Sequence, residues 1–202
     1  MTLVVLFVIG LQLMLPSDLS FSYTWVWCTV DIALLAAVTV ANPRRISAHR
    51  QITRNLSLAL TVFMTGTNLA SVILLVNLLL HRGVSDATSL LRSGGSIWLT
   101  NVVVFALWYW EFDRGGPGAR AEARNHVPDF LFPQMTDPDL ASPHWAPSFF
   151  DYLYMSFTNS SAFSPTDVLP LTRWAKALML SQSLISLGVV VLVVARAVNI
   201  LN

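Results

Sequence analysis

The sequence predicts an all-α polytopic membrane protein with about five transmembrane helices plus one re-entrant half-helix, and three observations predict it. Hydrophobic residues make up 54% of the 202-residue chain and charged residues only 11%, which leaves too little polar surface for a soluble globule of this size. Apolar residues gather in five runs, at about 3–15, 23–41, 56–80, 97–110 and 178–201. A polar, proline-bearing stretch, "YMSFTNSSAFSPTDVLPLTRWAKAL", stands just before the last of these runs, where another span would have to be apolar.

A span of hydrocarbon about 30 Å thick takes roughly 20 helical residues. The second, third and fifth runs meet that length. The first is short and starts at Met1, yet it has neither a basic leader region nor a small-x-small cleavage site, so it is counted as a span rather than a signal peptide. The fourth is extended by Ser93 to Ser96 on one side and by "WYWEFD" on the other. Trp108, Tyr109 and Trp110 there have the amphipathic rings that settle at headgroup level. The implied division is 1–112 for about four N-terminal transmembrane helices, 113–147 for a long polar loop, and 148–202 for the polar stretch with the last helix.

The loops differ in kind. "NPRRISAHRQITRN" carries Arg44, Arg45, Arg50 and Arg54 with no acidic residue, a positive-inside signal that assigns it to the cytoplasm. Counting spans from there puts the loop after Asp113 on the same side, in keeping with Arg114, Arg120 and Arg124. That loop is rich in proline and glycine and carries Asp129, Asp137 and Asp139 around "PDFLFPQMTDPD". Its apolar cluster Phe130, Leu131 and Phe132 predicts packing against the rest of the protein.

Pro147 and Ser148 favour a short helix starting at "FFDYLYMSFTNSSAF", with Ser148 as N-cap. From residue 149 to 159 the helix would be about 16 Å long, roughly half a bilayer. Pro165 and Pro170 disfavour continuing it into the next segment. Irregular backbone at membrane depth is tolerated only where protein buries it or water lines it. Half-helix, irregular polar strand and full helix is the layout of a pore loop.

"YMSFTNSSAFSPTDVLPLTRWAKALM" resembles the pore region of two-transmembrane potassium channels, in which Y-x-S-x-x-T-x-T-T-V-G-Y-G-D-x-x-P precedes an inner helix. Tyr154, Ser156, Asp167 and Pro170 fall in register without a gap, and the last run ending "VVARAVNIL" is similar to the inner helix. The resemblance covers about a quarter of the chain, and because such loops enter from outside while the arginine count puts the preceding loop in the cytoplasm, either the loop is inverted, one apolar run does not span, or the arginine loop is an exception. Where the family has T-V-G-Y-G, this sequence has Ala162, Phe163, Ser164, Pro165 and Thr166. Pro165 has a fixed φ and no amide hydrogen, and both filter glycines are gone, so the expectation is a wider, weakly selective pore rather than a potassium-type carbonyl ladder. Hydroxyls of Ser160, Ser161, Ser164 and Thr166 would line it, with Asp167 attracting cations. The resemblance further implies a homo-oligomer, a tetramer by analogy, and Gly188 as a gating hinge. The chain also resembles a group of uncharacterised bacterial membrane proteins that share runs of the "FALWYWEFDRGGP", "PDFLFPQM" and "FTNSSAFSPTD" type, which implies a bacterial plasma membrane.

Each of these residues has a plainer reading. Asp167 caps or braces the loop, Ser160 and Ser161 bond at a helix end, and Gly188 permits close helix packing. Asp31 and Arg196 are intramembrane charges that pair structurally or serve an ion or proton route. Asn68, Asn77, Asn101 and Gln182 read as interhelical glue. The single cysteine, Cys28, excludes an intrachain disulfide framework. The four histidines show no metal-ligand spacing, and H-E-x-x-H, P-loop and G-x-S-x-G motifs are missing from the sequence. The expectation is therefore no enzyme, no cofactor and no metal, and with a net charge of +1 no nucleic-acid partner. Partners are the lipid bilayer, further copies of the chain and small cations. The leading expectation is an ion-channel-like small-cation pore. The alternatives are a non-conducting scaffold or partner subunit and, third, a small-solute or proton transporter.

Overall fold

The computed structural model describes residues 2–13, 24–41, 50–82, 86–121, 127–137, 139, 142, 145–161 and 167–201. In chain order the helices are α1 (Thr2–Leu13), α2 (Thr24–Ala41), α3 (Arg50–Asn77), α4 (Ala87–Phe112), α5 (Pro117–Ala121), α6 (Phe149–Ser161) and α7 (Arg173–Leu201). A π-helical turn, Leu78–Arg82, continues α3. Two short strands, β1 (Phe130–Leu131) and β2 (Leu169–Pro170), pair antiparallel. The protein is thus mostly helical. Among the described residues three helices are long and apolar enough to cross a membrane, Ile52–His81, Ala87–Gly115 and Arg173–Ile200, whereas Thr2–Leu13 and Val26–Val40 are apolar but shorter.

The chain forms two compact units, Met1–Val104 with Gly188–Asn202, and Phe105–Leu187. The boundaries fall inside α4 and α7, and residues 113–147 and the half-helix belong to the second unit. In the first unit Leu75, Leu90, Ile97, Val189, Val193 and Ala197 make a core. The approach of α4 to α7 there is close enough that a Cβ on Gly94 would lie 2.6 Å from Val193 Cγ2. Hydroxyls on α3 satisfy themselves within the helix: Thr61 donates to Ser57 O at 2.9 Å, Thr65 to Thr61 O at 2.6 Å and Ser71 to Thr67 O at 3.0 Å. Asn68 Nδ2 reaches Asn101 Oδ1 at 3.5 Å, the interhelical contact expected of such amides.

The second unit is aromatic. Its core is Phe105, Tyr109, Phe130, Phe132, Tyr152, Met155, Val168, Ala175 and Met179. Ring pairs run through it at edge-to-face angles, Tyr109 with Phe130, Phe130 with Trp174 and Phe132 with Tyr152, all between 5.1 and 5.6 Å. Tyr109 is fully buried. Packing from the loop and α6 covers the ring, and its hydroxyl donates to Gln182.

Candidate functional site

The half-helix α6 starts as its sequence dictates. Ser148 N and Oγ both donate to Asp151 Oδ2 at 2.7 Å, and Asp151 N donates to Ser148 O at 3.1 Å, a reciprocal cap on the first turn. The helix has 13 residues, about 20 Å at 1.5 Å per residue, two-thirds of a hydrocarbon core. Asp167 and Val168 then lie in a bend, and β2 follows. Ala162, Phe163, Ser164, Pro165 and Thr166, the segment aligned with the filter, lie outside the described residues.

A polar network fixes the C-terminal half of α6 to α7. Gln182 Nε2 donates to Ser156 Oγ and Ser160 Oγ, both at 2.6 Å, and to Ser156 O at 3.0 Å. Its Oε1 accepts from Tyr109 OH at 2.5 Å and from Asn159 Nδ2 at 2.8 Å. Asn159 Nδ2 also donates to Met179 O at 3.0 Å, and Ser183 Oγ donates to Asn159 Oδ1 at 3.2 Å. Gln182, Tyr109 and Ser156 are fully buried and Ser160 nearly so. An amide has both donors and acceptor to offer, and here every one of them is used. That is the condition under which a buried polar cluster holds a unique arrangement.

The N-terminal half of α6 is held by a second cluster, built on the helix stop "DRGG". Arg114, Gly115 and Gly116 have φ of 51°, 81° and 97°, the left-handed region that ends α4 and favours glycine. Asp113, fully buried, accepts from Asp129 N at 2.9 Å, Phe130 N at 3.3 Å and Tyr152 OH at 2.6 Å. Asp129 in turn accepts from Arg114 N at 2.8 Å and Trp174 Nε1 at 3.0 Å. Two carboxylates thereby join the end of α4, the loop, α6 and the start of α7. Arg120 donates to Trp110 O at 2.7 Å and Asp113 O at 2.8 Å, a cation on carbonyls that the end of α4 leaves free. Its guanidinium also lies 4.3 Å from the Trp110 ring centroid and 5.2 Å from that of Tyr152. Burial lowers the Arg120 pKa against the raising effect of Tyr152, Asp113 and Glu111. Burial raises that of the Tyr152 phenol, and the Asp113 carboxylate adds to it.

The residues singled out in sequence are dispersed. Ser160 is buried on Gln182, and Ser161 Oγ donates back to Thr158 O at 3.0 Å. Asp167 is exposed. Gly188 lies exposed on α7, and a Cβ there would have nothing within 4 Å, so close packing within the described chain does not account for it. Asp31 is fully buried on α2 and forms no ion pair among the described residues. Arg196 is half-buried on α7. Sequence reasoning gave no role to Asp113 and Asn159, and it named Asp129 only as a loop acid, Ser156 only for its register with the pore motif and Tyr152 only as an aromatic anchor. The available signals were an acid at a glycine-marked helix stop and a run of small polar residues closing a half-length helix. No family model, curated protein or solved structure matches the chain.

Proposed function

We propose that the protein is an ion-channel-like integral membrane protein, a weakly selective pore for small cations assembled from several copies, with a tetramer as the natural closure. The observation that carries this reading is α6, a 13-residue helix too short to cross a bilayer, whose polar end is tied to the long helix α7 through Gln182. A short helix that ends at Ser161, with its hydroxyl-bearing end turned to protein, is what a re-entrant segment needs at membrane depth. The pore-region resemblance from Tyr154 to Pro170 points the same way. In this reading α1 and α2 join the three long helices to make about five spans in a bacterial plasma membrane. Asp167, exposed beyond the segment aligned with the filter, is the cation-attracting group.

The rival is a non-conducting scaffold or partner subunit, and one observation favours it. Ser160, a hydroxyl assigned to the pore lining, is buried and bonded to Gln182.

Current across bilayers containing the purified protein tests the two. A pore passes sodium and potassium with little discrimination, and Asp167→Asn lowers the current at low salt, where a ring of carboxylates is screened least. Strong potassium selectivity would contradict the weakly selective pore, unchanged flux in the variant would remove Asp167 from it, and no current at any voltage would favour the scaffold.

A further inference from the structure

The first unit contains a carboxylate that the pore reading does not use. Asp31 is 0% exposed, near the middle of the apolar helix α2. Neither of its oxygens is within full hydrogen-bond geometry of a described residue, and the Gln12 amide is the polar group that approaches it. An ionised carboxylate in that position is costly, and buried charges in membrane helices pair, reach water or neutralise. The polar neighbours are neutral. Gln12 of α1 lies beside Asp31, donates to Thr67 Oγ1 of α3 at 3.4 Å, and accepts from Cys28 Sγ at 3.9 Å.

The charged groups around it offer no counterion. The described residues of α1 include no titratable side chain, and α2 adds only Cys28. Arg50 and Arg54 stand near the start of α3, and Arg54 is exposed. Asp31 forms no ion pair among the described residues.

We infer that Asp31 is a proton-binding site within the first unit, its carboxyl held as the neutral acid. A metal cation fits less well. Hard cations take about six or more oxygens, whereas the amide of Gln12 is already shared between Thr67 and Cys28. A proton needs one oxygen. The step is simple uptake: hydronium gives a proton to one Asp31 oxygen, one O–H bond forms, water is released, and no electrons transfer. This site stands independently of the pore reading.

Infrared spectra of the full chain in phosphatidylcholine vesicles, with a heavy-carbon label on the aspartate carboxyls, test the assignment. The expected result at neutral pH is a carboxylic-acid carbonyl band that carries the label shift, disappears in alkaline buffer and is missing in Asp31→Asn. Asp31→Glu provides a second check for the case in which Asp31→Asn does not fold, because its acid band must lose the label shift while persisting. Superimposable wild-type and variant spectra in the acid region, or a band whose label shift survives Asp31→Glu, would overturn the inference.

Discussion

Asn159 Nδ2 of the half-helix and Gln182 Oε1 of α7 lie 2.8 Å apart, and this contact sits at the centre of the amide network that joins the two helices. Removing the Gln182 side chain leaves Ser156, Ser160, Asn159 and Tyr109 short of a partner in a buried site.

Gln182→Leu therefore destabilises the second unit by about 1–3 kcal/mol, since an unmet buried polar group costs on that order and interhelical bonds in bilayers are individually modest. Tyr109→Phe removes one hydroxyl and costs about 0.5–1.5 kcal/mol. Thermal unfolding in mild detergent ranks the two. Equal midpoints for both variants and wild type would mean that the network does not hold α6.

Asp113→Asn tests the other attachment. An asparagine keeps the shape but has a single accepting oxygen, so it cannot serve both the Asp129 and Phe130 amides and the Tyr152 hydroxyl. Bonds to a charged acceptor are worth about 1.5–3 kcal/mol each. The expected outcome is faster amide hydrogen exchange in residues 127–137 and at the start of α6, with α3 unaffected. Exchange that rises uniformly along the chain would argue against a local clasp.

Much of this fold is legible in the chain because hydropathy and capping are local. The apolar runs at 23–41 and 56–80 match α2 and α3 closely, and Ser148 with Asp151 marks the start of α6 in four residues. α4 starts earlier than its apolar run, at Ala87, because Asp86 caps it: Thr88 N and Ser89 N donate to the carboxylate at 3.0 and 3.1 Å. Arg92, Ser93, Gly94 and Gly95 then hide a helix that tertiary packing supports. The attachments were not legible, because Tyr109 and Gln182 are 73 positions apart and Asp113 and Tyr152 are 39 apart. Pairings at such separations leave no periodicity in the sequence. For the same reason the burial of Tyr109 was not legible: the loop, α6 and α7 residues that cover its ring are distant in sequence.

The contact between Gly94 and Val193 predicts a steric result. A Cβ at Gly94 would fall 2.6 and 2.9 Å from the two Val193 methyl carbons, and a β-branched side chain has little rotamer freedom with which to yield. Gly94→Ala therefore costs about 1–3 kcal/mol by overpacking, despite the better helix propensity of alanine. Gly94→Ala with Val193→Ala recovers part of that loss, an interaction between neighbours that a double-mutant cycle in detergent measures. Simple additivity of the two substitutions would show that α4 and α7 are not in this contact.

Sidedness follows from the long helices together with the arginines. Ile52–His81 and Ala87–Gly115 are each long and apolar enough to cross a membrane. If both cross, the segment before the first and the loop after the second face the same compartment. The excess of Arg44, Arg45, Arg50 and Arg54 over acids assigns that compartment to the cytoplasm. On the pore reading proposed above, the half-helix would then enter the membrane from the cytoplasmic side, opposite to the outside entrance of potassium-channel pore loops. Single cysteines at Ser47 and at the exposed Asp137, each placed in a Cys28→Ser background, report this directly through a membrane-impermeant maleimide on intact cells and on inverted vesicles. Both positions are expected to label only in inverted vesicles. Labelling of Asp137→Cys on intact cells with Ser47→Cys protected would mean that one of the two long helices does not cross, and would restore the outside entrance expected of a potassium-channel pore loop.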